Sequence, residues 1–383
     1  MTSSHRVLCV SFGHLDSLDA GLGEFARRLG ERLAQRTGAL RDAGVRLVFH
    51  LQPHLRGAFG DGVDYVAYHP SQRWRPWRLP HCALWHSAFQ HNATRPPEGS
   101  QHRLLTVHDL NFRYAKTVGS WRDSAVTRLA VSRSDGVATI SRYVADDLRS
   151  HLSWRGGLRT IYNGASNLVG LPQEPVPSLH GRPFFFHLSR MAASKNVGAL
   201  VELARAWPEK TFVFAGPAWG DSKRLHDTLQ GTLPNVQFLL GISEAAKAWL
   251  LQHCQAFLFP SLAEGFGLPP IEAMHFGTPV FLSDRTCLPE IGGRCAGYFH
   301  EFSPAAMRAV IECELPRLAG SREATQRHAA QFDWDRCAEG YLDWYSERLS
   351  IDMGGRPVLS GSCLTARSSR PDRQEKTPKS LIT

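Results

Sequence analysis

Short apolar runs separated by stretches of helical periodicity recur along almost the whole chain, and this alternation restricts the fold more than any other feature. Residues 7–12, 45–51, 104–107, 136–140 and 159–162 read as strands of a first half. Residues 184–188, 211–215, 236–239, 256–259 and 280–282 read as strands of a second half. Runs this short and apolar suit strands buried on both faces, as in a parallel sheet covered by helices. Strand alternating with helix predicts doubly wound parallel sheets. At 383 residues the chain exceeds what one core fills, so an α/β architecture of two Rossmann-like domains facing a cleft is expected. The expected boundaries are 1–167 for the first domain, 168–183 for a linker containing four prolines, and 184–331 for the second domain. An amphipathic helix with aromatic anchors at Trp334, Tyr341, Trp344 and Tyr345 would occupy 332–350. Residues 351–383, rich in Gly, Ser, Arg, Pro and Lys, read as a disordered tail.

Charge is uneven. Residues 1–165 carry 22 Lys and Arg against 13 Asp and Glu, whereas residues 166–350 carry 16 against 19. A basic first half suggests an anionic partner, whether acidic lipid, a lipid diphosphate or nucleic acid, or else ordinary solvated arginines; with no nucleic-acid module present, a membrane is the favoured partner. The segment Arg73-Trp74-Arg75-Pro76-Trp77-Arg78 fits that membrane reading, or a surface loop with buried rings. No apolar run is long enough to span a bilayer and no signal peptide is evident, so a cytoplasmic location is expected, with peripheral contact at the inner face of the plasma membrane. The eight cysteines form no Cys-x-x-Cys pair, which disfavours zinc and redox chemistry.

Residues 259–291 read FPSLAEGFGLPPIEAMHFGTPVFLSDRTCLPEI. A buried strand leads into glycines, then into a helix whose first turn tolerates proline. Glu264 falls in the loop and Glu272 in what reads as the first turn of the helix. A helix N-terminus offers unpaired N–H groups and partial positive charge, while carboxylates accept hydrogen bonds from hydroxyls. The combination suits a ligand both anionic and rich in hydroxyls. Either glutamate alone could be an ordinary helix-dipole acid.

The string closely resembles the Glu-x7-Glu signature of retaining glycosyltransferases of the GT-B fold, family 4. The resemblance covers roughly residues 5–350, and it implies that the first domain (1–167) lies on the acceptor side, that the second (184–331) binds the nucleotide sugar, and that the helix at 332–350 crosses back to the first domain. It implies that Glu264 contacts donor-sugar hydroxyls, that Glu272 holds the nucleotide ribose, and that Phe266, Gly267 and Leu268 supply N–H groups. Ser189-Arg190-Met191 and Lys195-Asn196 match the family's Arg and Lys in order and spacing, which would stabilise the leaving diphosphate. The family usually has Gly where Ser189 stands. His108, in Thr106-Val107-His108-Asp109, would lie by the reacting carbon. Gly21 and Gly23 resemble the family's first glycine loop. Gly216 and Gly241 fall where the family holds the base. Asn163-Gly164 matches its interdomain turn. Phe299-His300-Glu301-Phe302 departs from the pattern there, so nothing is carried over.

The implied reaction is metal-independent, retaining transfer of a hexose from a nucleoside-diphosphate sugar to a saccharide or lipid-linked saccharide for a surface polysaccharide. Mannose from GDP-mannose comes first, with glucose or galactose from a UDP donor next. No cofactor is expected beyond the substrate itself. Asp333-Trp334-Asp335 looks like an Asp-x-Asp metal motif but reads better as a helix cap. Two other classes stay open. One is a non-catalytic nucleotide-sugar-binding or scaffold partner in a glycosylation complex. The other is a sugar phosphorylase, which lacks a convincing pyridoxal-phosphate lysine. The absent dinucleotide fingerprint disfavours a dehydrogenase.

Overall fold

The computed structural model describes residues 6–19, 21–92, 94–113, 120–152, 154 and 156–352. The expected disordered tail therefore lies outside the described residues, apart from 351 and 352. The first sheet contains β1 (Arg6–Ser11), β2 (Val45–Leu51), β3 (Asp64–Ala67), β4 (Leu84–Ser87), β5 (His102–Val107), β6 (Gly136–Thr139) and β7 (Gly157–Thr160). Its helices are α1 (Leu22–Gln35), α2 (Thr37–Asp42), α3 (Ser120–Ser132) and α4 (Arg142–Leu152). The second sheet contains β8 (Phe184–Leu188), β9 (Thr211–Gly216), β10 (Val236–Leu240), β11 (Ala256–Phe259), β12 (Val280–Ser283) and β13 (Ala296–Phe299). Between and after these strands run α5 (Val197–Ala206), α6 (Gly220–Leu229), α7 (Glu244–His253), α8 (Leu268–His275), α9 (Leu288–Gly292), α10 (Pro304–Ala319), α11 (Arg322–Ala329) and α12 (Trp334–Leu349).

Every pairing is parallel. The strand orders are β3-β2-β1-β4-β5-β6-β7 and β10-β9-β8-β11-β12-β13. The order reverses between β1 and β4 in the first sheet and between β8 and β11 in the second. In open α/β sheets the loops diverge at such a reversal and leave a crevice at the strands' carboxyl ends. Each sheet thus offers one crevice, and the loops that line them carry most of the candidate residues.

Periodicity predicts five strands per half, whereas the sheets hold seven and six. The unpredicted strands are β3, β4 and β13. β3 is an edge strand, Asp-Tyr-Val-Ala, and only half-buried. β4 is short and central, and its His86 is fully buried because both ring nitrogens have hydrogen-bond partners, Tyr345 (2.6 Å) and Thr106 (2.9 Å). β13 contains Gly297, whose missing side chain makes room for the Phe281 ring.

α12 belongs by packing to the first domain. Its Trp334, Ala338, Tyr341, Leu342, Tyr345 and Leu349 enter the same core as Leu8, Val10 and Phe25. The 3.6-residue period puts these side chains on one face, and each large ring buried there contributes about 2–3 kcal/mol of apolar transfer. Asp333 caps the helix, accepting from the N–H groups of Asp335 (2.7 Å) and Arg336 (3.2 Å). That cap accounts for the Asp-x-Asp spacing without a metal. Among the described residues no helix is long and apolar enough to cross a membrane.

A candidate active site between the two domains

The loop after β8 and the loop after β11 flank the second sheet's reversal, and they bring Lys195 to Glu264. Lys195 Nζ donates to Glu264 Oε1 at 2.5 Å, with both side chains largely buried. Around this pair the backbone is strained. Met191, Asn196 and Thr286 take positive φ of 54°, 53° and 52°, a conformation costing non-glycine residues of the order of 1 kcal/mol or more and concentrated at functional sites. Thr286 Oγ1 accepts from the Glu264 N–H (3.2 Å), and the Cys287 thiol donates to the carbonyls of Glu264 and Phe266. The segment after β12 thus fixes the glutamate loop. Arg190, in the same loop between β8 and α5 as the lysine, is exposed and makes no ion pair with any described residue.

Gly267 caps α8 at φ 95°, where a side chain would be strained. Proline occupies the second and third helical positions, so of the usual orphan donors at a helix start only the N–H groups of Gly267 and Leu268 remain. Phe266 is buried in the second domain's core. Glu272 is the fifth helical residue, in the second turn rather than the first, because the helix begins at Leu268 and not at the prolines. Its carboxylate is 3.3 Å from Lys247 Nζ on α7. Burial pushes Glu272 up to about 7, against the opposing pull of Lys247, with Glu24 and Glu244 adding to the rise.

The first domain meets this site through His108 and Asp109. Gly265 has no room for a side chain: a Cβ there would lie 2.1 Å from the His108 carbonyl oxygen. Ser141 Oγ also donates to the Gly265 carbonyl (2.9 Å). His108 is buried, packs edge-on against Phe25 at 4.6 Å, and sets its Nε2 against the Ala88 carbonyl at 2.9 Å. Only a donor can bond a carbonyl, so Nε2 carries the proton and Nδ1 is the acceptor. Burial lowers its pKa to about 4, so the ring is neutral near pH 7. Burial also raises the Asp109 carboxyl, opposed by the Asn111 N–H. Gln90 clamps the loop, accepting from the His108 N–H (3.1 Å) and donating to the Asp109 carbonyl (2.8 Å).

The glycine candidates divide. Gly21, at φ 59°, faces open space just before α1. The side-chain space of Gly23 is filled by the backbone of Ser17 and Leu18, and that of Gly216 by the Ser189 carbonyl and Ser222. Gly241 takes φ 66° just after β10, and its N–H donates to the Gly216 carbonyl (2.8 Å). Gly164 packs on Trp334, where a Cβ would lie 2.3 Å from the Trp334 backbone nitrogen.

Sequence reasoning missed Lys247, Gln90 and Glu290. Lys247 is the one charge on the buried face of α7, which is a readable signal. Glu290 reaches from α9 to the first domain, accepting from the N–H groups of Arg142 (2.8 Å) and Tyr143 (2.9 Å) and from the Tyr162 hydroxyl (2.6 Å). It thereby caps α4, a helix of the other domain, and no local sequence pattern announces that. The Trp rings of the 73–78 segment are not buried: Trp74 is 65% and Trp77 64% exposed.

Residues 173–303 match the family described as glycosyl transferases group 1. The chain is 24% identical over 303 residues to "O-antigen chain mannosyltransferase B" of Escherichia coli, covering 75% of this chain and 76% of that protein. It is 39% identical over 131 residues to "Serotype-specific mannosyltransferase WbdA" of Escherichia coli, which is 33% of this chain and only 16% of that protein. Among solved structures, sucrose-phosphate synthase from Thermosynechococcus elongatus aligns with a TM-score of 0.72 at 18% identity, over 90% of this chain and all of that one. Anabaena Alr3699/HepE in complex with UDP and glucose aligns with a TM-score of 0.66 at 17% identity, over 88% and 99%. At these identities the structural likeness concerns the fold. The chain is a glycosyltransferase of the GT-B fold, and its second domain belongs to the group 1 glycosyl transferases.

Proposed function

We propose that this glycosyltransferase moves a hexose, mannose first, from a nucleoside-diphosphate sugar to a hydroxyl of a saccharide or lipid-linked saccharide, with retention at the anomeric carbon. The observation that carries the reading is the cluster at the second sheet's reversal. There Lys195 pairs with Glu264, Arg190 is exposed in the same loop as Lys195, and the His108 backbone closes on Gly265 from the other domain. Arg190, Lys195 and the Gly267 and Leu268 N–H groups take up charge as the diphosphate leaves. Two cations so placed supply what a metal would otherwise supply, and the reading needs no cofactor. Glu264 accepts hydrogen bonds from sugar hydroxyls, and Glu272 from the ribose. Neutral His108 is unsuited to proton donation and serves instead as an acceptor at the sugar. The bond from the anomeric carbon to the phosphate oxygen breaks, the bond to the acceptor oxygen forms on the same face, and the acceptor's proton passes to the departing phosphate oxygen.

Mannose is favoured by the relatives named as mannosyltransferases, and polysaccharide synthesis by the words "O-antigen chain" in one of those names. Peripheral contact with the inner face of an anionic membrane is supported by the exposed Trp77 and Trp121 on the basic first half. The test is the melting temperature with GDP, UDP and ADP separately, followed by transfer from the matching sugar nucleotide. A nucleotide at 100 times its Kd adds about 2.7 kcal/mol. GDP alone should shift the melt, and Glu264→Ala should abolish transfer. No shift with any nucleotide, or full-rate transfer by Glu264→Ala, overturns the reading.

A further inference from the structure

A second cluster of cations lies in the first domain, lining a different cavity from the donor cluster. A cavity of about 570 Å³ opens between α3 and the segments that follow β3 and β4. Four arginines line it: Arg73, Arg95, Arg122 and Arg133. Asp123 is the only carboxylate among its lining residues, and none of the four arginines pairs with a carboxylate among the described residues. α3 presents Arg122, Val126, Leu129 and Ala130 to it, one face of a helix, and Arg133 follows in the turn just after its end. Arg73 and Arg95 converge on the exposed Trp74 ring, at 5.1 and 5.8 Å from its centroid. Four guanidinium groups around a single carboxylate leave an excess of like charge, which is unfavourable unless a ligand neutralises it. In keeping with this, Arg133 is lowered, by burial first and then by Arg95.

An independent observation points the same way. Thr94 also lines the cavity and is 5% exposed, and its hydroxyl has no hydrogen-bond partner among the described residues. A buried hydroxyl left unpaired costs free energy that a bound acceptor oxygen would recover. The guanidinium fork matches phosphate oxygens in pairs. Exposed Trp74 and Leu129 beside the arginines offer apolar surface for whatever the phosphate is attached to.

We propose that this cavity binds a phosphate or diphosphate group of the acceptor. The assignment to the acceptor rests on the glycosyl-transfer reading above. Gln90 connects the two sites: it lines the cavity and also clamps the His108–Asp109 backbone. An acceptor anchored by its phosphate would therefore present its hydroxyl toward the first domain's side of the donor site.

Calorimetric titration of the full chain with inorganic pyrophosphate, without and with GDP, tests this. The variants are Arg95→Ala/Arg133→Ala, the charge-preserving Arg95→Lys/Arg133→Lys, and Arg190→Ala/Lys195→Ala, each with its fold checked by circular dichroism. The expected result is a binding event that survives GDP and survives Arg190→Ala/Lys195→Ala. It should weaken about tenfold or more in Arg95→Ala/Arg133→Ala and recover in part with lysine. Competition of all pyrophosphate binding by GDP, or equal affinity in wild type and both Arg95/Arg133 variants, overturns the proposal. Failure of GDP to bind while the Arg95/Arg133-dependent event persists upholds the anion site and counts against the donor reading. Farnesyl diphosphate then separates the sources. Tighter binding than pyrophosphate identifies a lipid-linked acceptor, and equal binding a soluble phosphorylated one; either upholds the cavity.

Discussion

Raising the pH from about 6 to about 8 should tighten binding of a nucleoside-diphosphate sugar, because it ionises Glu272. A carboxyl with a pKa of about 7 in the free protein is ionised in about one molecule in ten at pH 6 and about nine in ten at pH 8. Ribose hydroxyls donate to the ionised form. If the bound carboxylate stays ionised throughout, the affinity improves by up to about tenfold, or about 1.4 kcal/mol. The sugar diphosphate is esterified at both ends and does not titrate here. Neither does His108, whose pKa is about 4. The folded value of Glu272 is raised above that of an unfolded carboxylate. The ligand-free protein therefore loses this group's stabilisation as pH rises from the unfolded value through about 7, and the ligand-induced rise in Tm should grow over the same range. Calorimetry with GDP-mannose at a series of pH values would measure the slope, and Glu272→Gln should flatten it. An identical slope in wild type and Glu272→Gln would refute the reasoning.

Gly265→Ala drives a methyl group into the His108 carbonyl and should force the domains apart. Turnover should fall by up to about 100-fold while the separate cores stay folded, and unchanged turnover would show that the approach is not needed. Glu290→Ala uncaps α4 and strands the Tyr162 hydroxyl, so thermal unfolding should register a loss of about 1–2 kcal/mol. Four buried histidines are depressed by burial, His86 to about 3 and His50, His108 and His187 to about 4. Their stabilisation is complete above the unfolded imidazole value and is lost as pH falls below it, by up to about 1.4 kcal/mol per pH unit for each histidine. Urea midpoints should drop steeply between pH 6.5 and pH 4.5, and a flat profile would contradict their burial as neutral groups.

The strands that were legible in sequence are those in which apolar residues dominate the run, even where one buried histidine interrupts it, as His50 does in β2 and His187 in β8. Residues 45–51, 184–188 and 256–259 match β2, β8 and β11 end to end. β4 was not legible because it is only four residues long and half polar, Leu-Trp-His-Ser, and its His86 is buried on partners, Tyr345 and Thr106, that come from α12 and β5. The same contrast holds at the site. Arg190, Lys195 and Glu264 were legible because fixed spacing within two loops encodes them. That Lys195 and Glu264 would pair directly was not, since 69 residues separate them. Lys247 and Glu290 act through partners on other elements, Glu272 on α8 and the start of α4. The turn of α8 that holds Glu272 depended on Leu268 starting the helix, one residue before the prolines that marked it.

The placement of α12 has a consequence for how the chain is made. The first sheet is finished when residue 160 has been synthesised, yet its core is closed by Trp334, Tyr341 and Tyr345. Their indole and phenol rings cover Phe25 and His86, which until then face water. The second domain draws its strands from residues 184–299 and can close its sheet while the first still waits. During translation the order of completion therefore inverts the order of the sequence. A chain stalled short of α12 would hold a formed nucleotide-side domain tethered to an open, aggregation-prone apolar sheet.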